Sequence, residues 1–291
     1  MSIFEFLNHK TKSLEGKTVA ISGATGGIGK ELCFYLAKLG AKIIILDRNR
    51  KKQSALIKAI KQKFNTVEID AMLLDLSKMD TVKEASKKLK TIAPDFLILN
   101  AGAYSVPRFI CDTGLDNVFQ INFAAPYYIV KELLSTLNKN GGRVVAVGSI
   151  AHNYSITDKT DIDFKNRKKA SLVYGNAKRF LMFALNELFK NEQGATLAIT
   201  HPGITLTGIT AHYPKMIFAL IKYPMKIIFP HPKKAALSIL MGLFEKTQHN
   251  TWIGPKYFNI WGYPKLKPLK TCKKDEMNWI YKTAEEIYNK M

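Results

Sequence analysis

Short runs of β-branched and other apolar residues recur along the chain, separated by longer stretches whose apolar positions repeat every three or four residues. The runs predict strands at 18–22, 42–46, 70–74, 96–99, 143–147, 197–200 and 251–254. Nearly all are apolar on both faces, as strands buried in a parallel sheet must be. The stretches between them predict helices at 28–39, 50–64, 78–91, 114–137 and 172–191. This alternation specifies an α/β fold, a doubly wound parallel sheet of about seven strands with helices on both faces. No repeat, low-complexity tract or Pro/Gly/Ser linker interrupts it, so residues 16–291 are expected to form a single domain behind an N-terminal extension at 1–15.

One segment breaks the rhythm. Residues 204–234 are rich in Met, Phe and Ile with interleaved lysines, and Pro214, Pro224 and Pro230 divide them into short helical pieces. A core-covering helix pair, a lid over an apolar substrate and a surface resting on anionic lipid all fit this pattern.

Charge narrows the classes of function. The 291 residues carry 44 Lys plus Arg against 23 Asp plus Glu, a formal net charge of +21, which suits nucleic acid, an anionic membrane or a phosphorylated ligand. The basic residues are scattered, as in Lys51–Lys52, Lys168–Lys169 and Lys273–Lys274, and no zinc-finger spacing or ribonucleoprotein signature accompanies them. A dedicated nucleic-acid binder is therefore not expected. Cys33, Cys111 and Cys272 are too few and too scattered for a disulfide framework or a metal cluster, which points to a reducing compartment and no metal site. The first apolar run is interrupted by Glu5 and lacks a cleavage site, and no uninterrupted run reaches ~20 apolar residues. A cytoplasmic protein, at most peripheral to a membrane, is the expectation.

Candidate chemistry begins where the first strand runs into S-G-A-T-G-G-I-G at 22–29. Gly23, Gly27 and Gly29 let the backbone approach a ligand, and the following helix directs its free N–H groups at it, which suits a phosphate. The second strand ends at Asp47, about 20 residues beyond the loop, where a carboxylate accepts hydrogen bonds from an adenosine ribose and repels a 2′-phosphate. Arg48 and Arg50 oppose that preference, because a guanidinium could clamp the phosphate. The balance leans to NAD and leaves NADP open. Asp75 and Leu76, after the third strand, are candidates to flank the adenine. Further on, Tyr174 and Lys178 stand four apart in Y-G-N-A-K and so share a helix face. A free tyrosine titrates near pH ~10, and a fixed ammonium beside it brings the phenol toward the range of a working acid/base. Ser149 closes the fifth strand at the carboxyl edge of the sheet, where such folds bind ligands, and could donate to a carbonyl oxygen gathering charge. Taken singly, each residue is also an ordinary turn or surface residue.

The spacing of the glycine loop, with N-A-G-A at 100–103, Asn122 in Q-I-N-F-A-A-P, Ser149 in V-G-S-I-A-H, Tyr174 and Lys178 in Y-G-N-A-K, and H-P-G-I-T-L-T-G at 201–208, resembles the short-chain dehydrogenase/reductase family over residues 16–254. The resemblance implies a three-layer Rossmann fold and an NAD(P)-dependent alcohol dehydrogenase or carbonyl reductase. It implies that the dinucleotide is held by Gly23, Thr25, Gly27, Ile28, Gly29, Asp47, Arg48, Asp75, Leu76, Asn100, Ala101, Gly102, Tyr174, Lys178, Pro202, Gly203 and Thr205. It further implies that Tyr174 is the general acid/base, that Ser149 positions the substrate oxygen, that Lys178 also binds the nicotinamide ribose, and that Asn122 holds a water linking Lys178 to solvent. Ser22 stands where Thr is common and Leu99 where Asn is frequent. The long connection between Ser149 and Tyr174 resembles the retinol-dehydrogenase-like and WW-domain-oxidoreductase-like branch, whose members take apolar alcohols, aldehydes and ketones. Residues 204–234 would then be the substrate lid, with Phe109, Tyr154 and Tyr213 contributing, and pairing into dimers or tetramers through the helices after the fourth and fifth strands is expected. The rival readings are a dinucleotide-binding sensor without turnover and a membrane-docking protein.

Overall fold

All seven predicted strands form, and an eighth joins them. The computed structural model describes residues 2–203 and 231–291. β1 (Thr18–Ser22), β2 (Lys42–Asp47), β3 (Ile69–Leu73), β4 (Phe96–Leu99), β5 (Arg143–Val147), β6 (Thr196–Thr200) and β7 (Thr251–Tyr257) run parallel in the order β3-β2-β1-β4-β5-β6-β7. β8 (Trp261–Pro268) closes the sheet antiparallel to β7. Gly262, Pro264 and Pro268 make that stretch read as turns, yet proline is tolerated on an edge strand because one side needs no N–H donor.

The sheet is buried on both faces, and alternate strand residues enter different cores. Ala20, Ile44, Leu46, Leu97, Leu99, Val144 and Ala146 face one apolar cluster, while Val19, Ile21, Ile43, Ile45, Ile98, Val145 and Val147 face the other. The first core is closed by α4 (Met79–Ile92), α6 (Ala125–Asn140), α7 (Ala170–Leu188) and α9 (Lys274–Lys290). The second is closed by α1 (Ile3–Lys10), α2 (Gly27–Lys38), α3 (Arg50–Lys63) and α8 (Pro232–Met241). The stretch ahead of β1 thus packs on the sheet. A capping box between Ser2 and Glu5 starts α1, Phe6 and Leu7 are buried, and Phe6 stacks on Tyr263 of β8 at 5.3 Å.

The helix expected over 114–137 is three pieces: α5 (Asn117–Phe119), a π turn (Gln120–Ala124) and α6. Pro126 lacks the N–H that would bond the carbonyl of Asn122, and its ring would crowd that carbonyl, so the backbone widens there. Of the segment 204–234, His231 caps α8 and residues 232–234 begin it, ahead of the buried stretch Ala235–Met241. The remainder of the expected lid, with Thr205 and Tyr213, lies outside the described residues. The outer face of α6 and α7, through which pairing was expected, carries α9: Lys131 and Tyr127 both bond Glu285, Tyr288 bonds Glu132 at 2.6 Å, and Ile280 and Ala284 are fully buried. Among the described residues no helix is long and apolar enough to cross a membrane.

Candidate active site

A cleft of about 670 Å³ opens along the carboxyl ends of β1 to β4. Its floor is the turn after β1. Gly23 has φ +66, and a Cβ there would come within 2.7 Å of the Ala101 Cα, so the turn is glycine by necessity. Gly27, Ile28 and Gly29 open α2 along the same wall; its N-cap, Gly26, offers no side-chain cap, and the first turn carries no acidic residue. The amide donors of that helix end consequently face the cleft without a side-chain acceptor.

The turn is tied to the next loop by Ser22 and Asn100. Ser22 Oγ accepts from the amides of Asn100 and Ala101, both at 3.1 Å, and Asn100 Nδ2 donates to the carbonyls of Ser22 and Gly23 at 3.1 and 3.0 Å. Serine in place of threonine therefore preserves the stitching. At the other end of the cleft, Asp47 accepts on Oδ2 from the Thr25 amide at 3.1 Å and the Thr25 hydroxyl at 2.7 Å. Exposed Arg48, with Asn49 and Lys52, shares that mouth. Asp75 and Leu76 also line it; Asp75 is held by the amide and hydroxyl of Ser77, and the Leu76 carbonyl accepts from Gln120 Nε2 at 3.0 Å.

Beyond Gly102 lie the four residues expected to be catalytic. Asn122 is fully buried in the π turn; its amide donates to the carbonyls of Ala103 and Val118, both at 2.8 Å, and its Oδ1 accepts from the Ala103 amide at 3.2 Å. Asn122 thereby fixes the loop at 102–103 to the helix behind it. Lys178 is buried, its Nζ donating to the Val147 carbonyl at 2.8 Å and lying 3.8 Å from where a Cβ on Gly102 would be. Burial pulls its ammonium down to about 7. Its Nζ sits 5.7 Å from the centre of the Tyr174 ring.

Tyr174 comes to Ser149 because α7 can approach so closely. A Cβ on Gly175 would stand 2.5 Å from the Ala151 carbonyl oxygen, in the 3₁₀ turn (Ile150–Tyr154) that Ser149 caps. Burial drives the Tyr174 phenol up to about 12, opposed by the neighbouring Ser149 hydroxyl and assisted by Tyr104, whose ring meets Tyr174 edge-on at 5.3 Å. In the unliganded protein burial is the leading influence on both groups, raising the phenol and lowering the ammonium.

Pro202 and Gly203 are buried at the end of β6, Gly203 at φ +84, and neither lines the cleft. Phe109 stands at the cleft rim, half exposed, and Tyr154 is largely exposed. Two residues escape a reading by motif. Tyr104 directly follows N-A-G-A, and His152 places Nδ1 2.6 Å from the Ser149 carbonyl and Nε2 3.1 Å from that of Lys270, wedged edge-on against Phe183 and Trp252. Its place in S-I-A-H was the one available signal.

A doubly wound sheet with a glycine turn at the mouth of a cleft on its carboxyl edge is a Rossmann-type dinucleotide fold. The short chain dehydrogenase family model matches residues 17–161, and the chain belongs to that family. It is 28% identical to human retinol dehydrogenase 13 over 69% of this chain and 62% of that one, and 30% identical to human WW domain-containing oxidoreductase over 66% and 50%. The matches span less than two thirds of these relatives' own length. An uncharacterised protein of Mycobacterium paratuberculosis superposes with a TM-score of 0.77 at 21% identity, covering 97% of this chain and 96% of its own. A short-chain dehydrogenase from Sphingobium yanoikuyae in complex with NADPH gives 0.59 at 21% identity, over 78% and 84%.

Proposed function

We propose that the protein is an NAD(P)-dependent oxidoreductase that interconverts an apolar alcohol with its aldehyde or ketone. The observation that carries this reading is the convergence of Tyr174, Ser149 and Lys178: Gly175 seats α7 against the 3₁₀ turn that Ser149 caps, and the Lys178 Nζ lies 5.7 Å from the Tyr174 ring centre at the Gly102 end of the cleft. The residues present fit a dinucleotide: bare glycines, uncapped amides at the start of α2 and a cleft of about 670 Å³ ending at an acidic residue on β2. Gly23, Gly27, Ile28 and Gly29 would hold the phosphates, Asp47 the adenosine ribose, and Asp75 and Leu76 the adenine side. When bound, the nicotinamide gives or accepts the hydride.

The chain's own residues manage the proton and the charge. Ser149 donates to the substrate oxygen and holds it beside the Tyr174 hydroxyl. Tyr174 gives its proton to the nascent alkoxide during reduction and removes the alcohol proton during oxidation. Lys178 contributes positive charge where the phenolate forms, and Asn122 pins the 102–103 loop beside its Nζ and offers the remaining Oδ1 lone pair to a proton relay.

Asp47 and its Thr25 partner favour NAD, with Arg48 and Lys52 as the opposing cations; the ratio of dissociation constants for NADH and NADPH tests this, and tighter NADPH binding would reverse it. Apolar substrates are supported by the kinship with retinol dehydrogenase 13 and by Phe109 at the rim. A cytoplasmic location, at most peripheral to a membrane, and assembly of copies into dimers or tetramers through a surface other than the α9-covered face complete the reading. Tyr174→Phe is the central test: dinucleotide affinity near normal, turnover of an aldehyde or ketone panel down by about 10²–10⁴-fold. A variant as active as the parent removes the assignment.

A further inference from the structure

The turn between β7 and β8 is built against the usual preferences. The Ile260 amide donates to the Tyr257 carbonyl at 2.9 Å, and both central residues, Phe258 and Asn259, have positive φ, +50 and +58. Such turns select Gly, Asn or Asp at both places. Asn259 obeys that rule and anchors the turn: its carbonyl faces His201 Nε2 at 3.1 Å, and its Oδ1 accepts from Lys267 Nζ at 2.9 Å. Phe258 does not obey it. A large apolar side chain is held in a left-handed conformation and is 82% exposed at the apex. Trp261 stands edge-on to it at 6.2 Å, and Tyr257 pairs across the strands with Trp261. These neighbours are 41% and 53% exposed.

The surrounding charge is one-sided. Between 251 and 274 the sequence has six lysines and no acidic residue. Lys256 lies over the Tyr257 ring at 5.0 Å and Lys234 over Tyr263 at 5.1 Å. A second copy of this surface would meet it with like charge. Strand addition at β8 is hindered by Pro264 and Pro268, the means by which edge strands avoid pairing. Nucleic-acid readers lay their aromatics along a groove, whereas these rings crown a convex turn.

We infer that the β7–β8 turn is a docking tip for an anionic lipid surface, with Phe258 entering the headgroup boundary, Trp261 and Tyr257 resting at the interface, and the lysines facing the lipid phosphates. This inference stands apart from the cleft and its chemistry.

The test is co-sedimentation of the full chain with phosphatidylcholine vesicles, with and without about 30% phosphatidylserine. The parent is expected to pellet with the anionic vesicles alone, less so as salt rises from about 0.1 to 0.5 M. Phe258→Asn, which suits the turn better than the native residue, and Trp261→Thr should together lower the partition coefficient by about tenfold or more while leaving the thermal midpoint and cofactor binding unchanged. Lys256→Glu with Lys265→Glu should do the same. The inference is overturned if the parent ignores anionic vesicles, if the aromatic double variant binds them as the parent does, if a single-stranded RNA homopolymer is bound as tightly and independently of Phe258, or if sedimentation shows self-association that Phe258→Asn abolishes.

Discussion

The Nζ of Lys178 lies 2.8 Å from the carbonyl oxygen of Val147, and this bond joins an ammonium on α7 to the carboxyl end of β5. The bond is made by an ammonium that burial has pulled down to about 7 from 10.5. Between those values the unfolded chain holds a proton that the folded chain has released, so stability rises with pH through that window, and the full penalty is present below pH 7. Lys178→Met should remove this dependence and raise the unfolding free energy of the unliganded protein at pH 7 by about 1–4 kcal/mol, while turnover is lost. Denaturant melts at pH 7 and pH 10 check it; a destabilised variant would mean that the lysine contributes more to folding than its burial costs.

Tyr174, held up to about 12, is protonated throughout the neutral range. Reduction needs the protonated phenol and oxidation the phenolate, so kcat/KM for the alcohol should climb with pH between about 7 and 10, while that for the carbonyl stays nearly flat. A reversed pair of profiles would assign the proton to another group.

Gly175→Ala places a methyl 2.5 Å from the Ala151 carbonyl and must push α7 away from the 3₁₀ turn. The expected cost is about 1–3 kcal/mol in stability, and kcat should fall more than the dinucleotide affinity, because Tyr174 leaves Ser149 while the glycine turn is untouched. Equilibrium melts and fluorescence titration with NADH separate the two effects.

Asn122→Ala strands the Ala103 amide and the carbonyls of Ala103 and Val118. Loss of these bonds should cost about 1–3 kcal/mol, and the loosened 102–103 loop should weaken dinucleotide binding as well as turnover. Hydrogen exchange at the Ala103 amide reports the loop directly; unchanged protection would detach Asn122 from its ordering.

Much of this was legible because each signal was local. Runs apolar on both faces suit buried strands, so the inner strands were readable, while β3 at the sheet edge, with its exposed Asp70, was the least marked of the seven; the glycine turn was readable because strand, turn and helix follow one another without a gap. Tyr174 and Lys178 were tied by one helical turn. What the sequence hid is non-local. β8 pairs with β7 through a turn carrying the wrong residue and contains two prolines, so its propensity argues against it. The π turn depends on Pro126 acting four residues back. The pairing of Asp47 with Thr25 and the clasp of His152 on Ser149 and Lys270 come from chain crossings that no spacing announces. The balance of acidities at Tyr174 and Lys178 depends on how much protein surrounds them, which a four-residue interval does not encode.

The stacking of Phe6 on Tyr263 ties the start of the chain to its final strand. During synthesis the first helix is made almost at once, but its aromatic partner emerges only after nearly the whole sheet has left the ribosome. Until then Phe6 lacks this partner, so docking of the amino-terminal helix is a late event of vectorial folding, and a chain stopped short of residue 263 presents an unfinished apolar flank to chaperones and proteases.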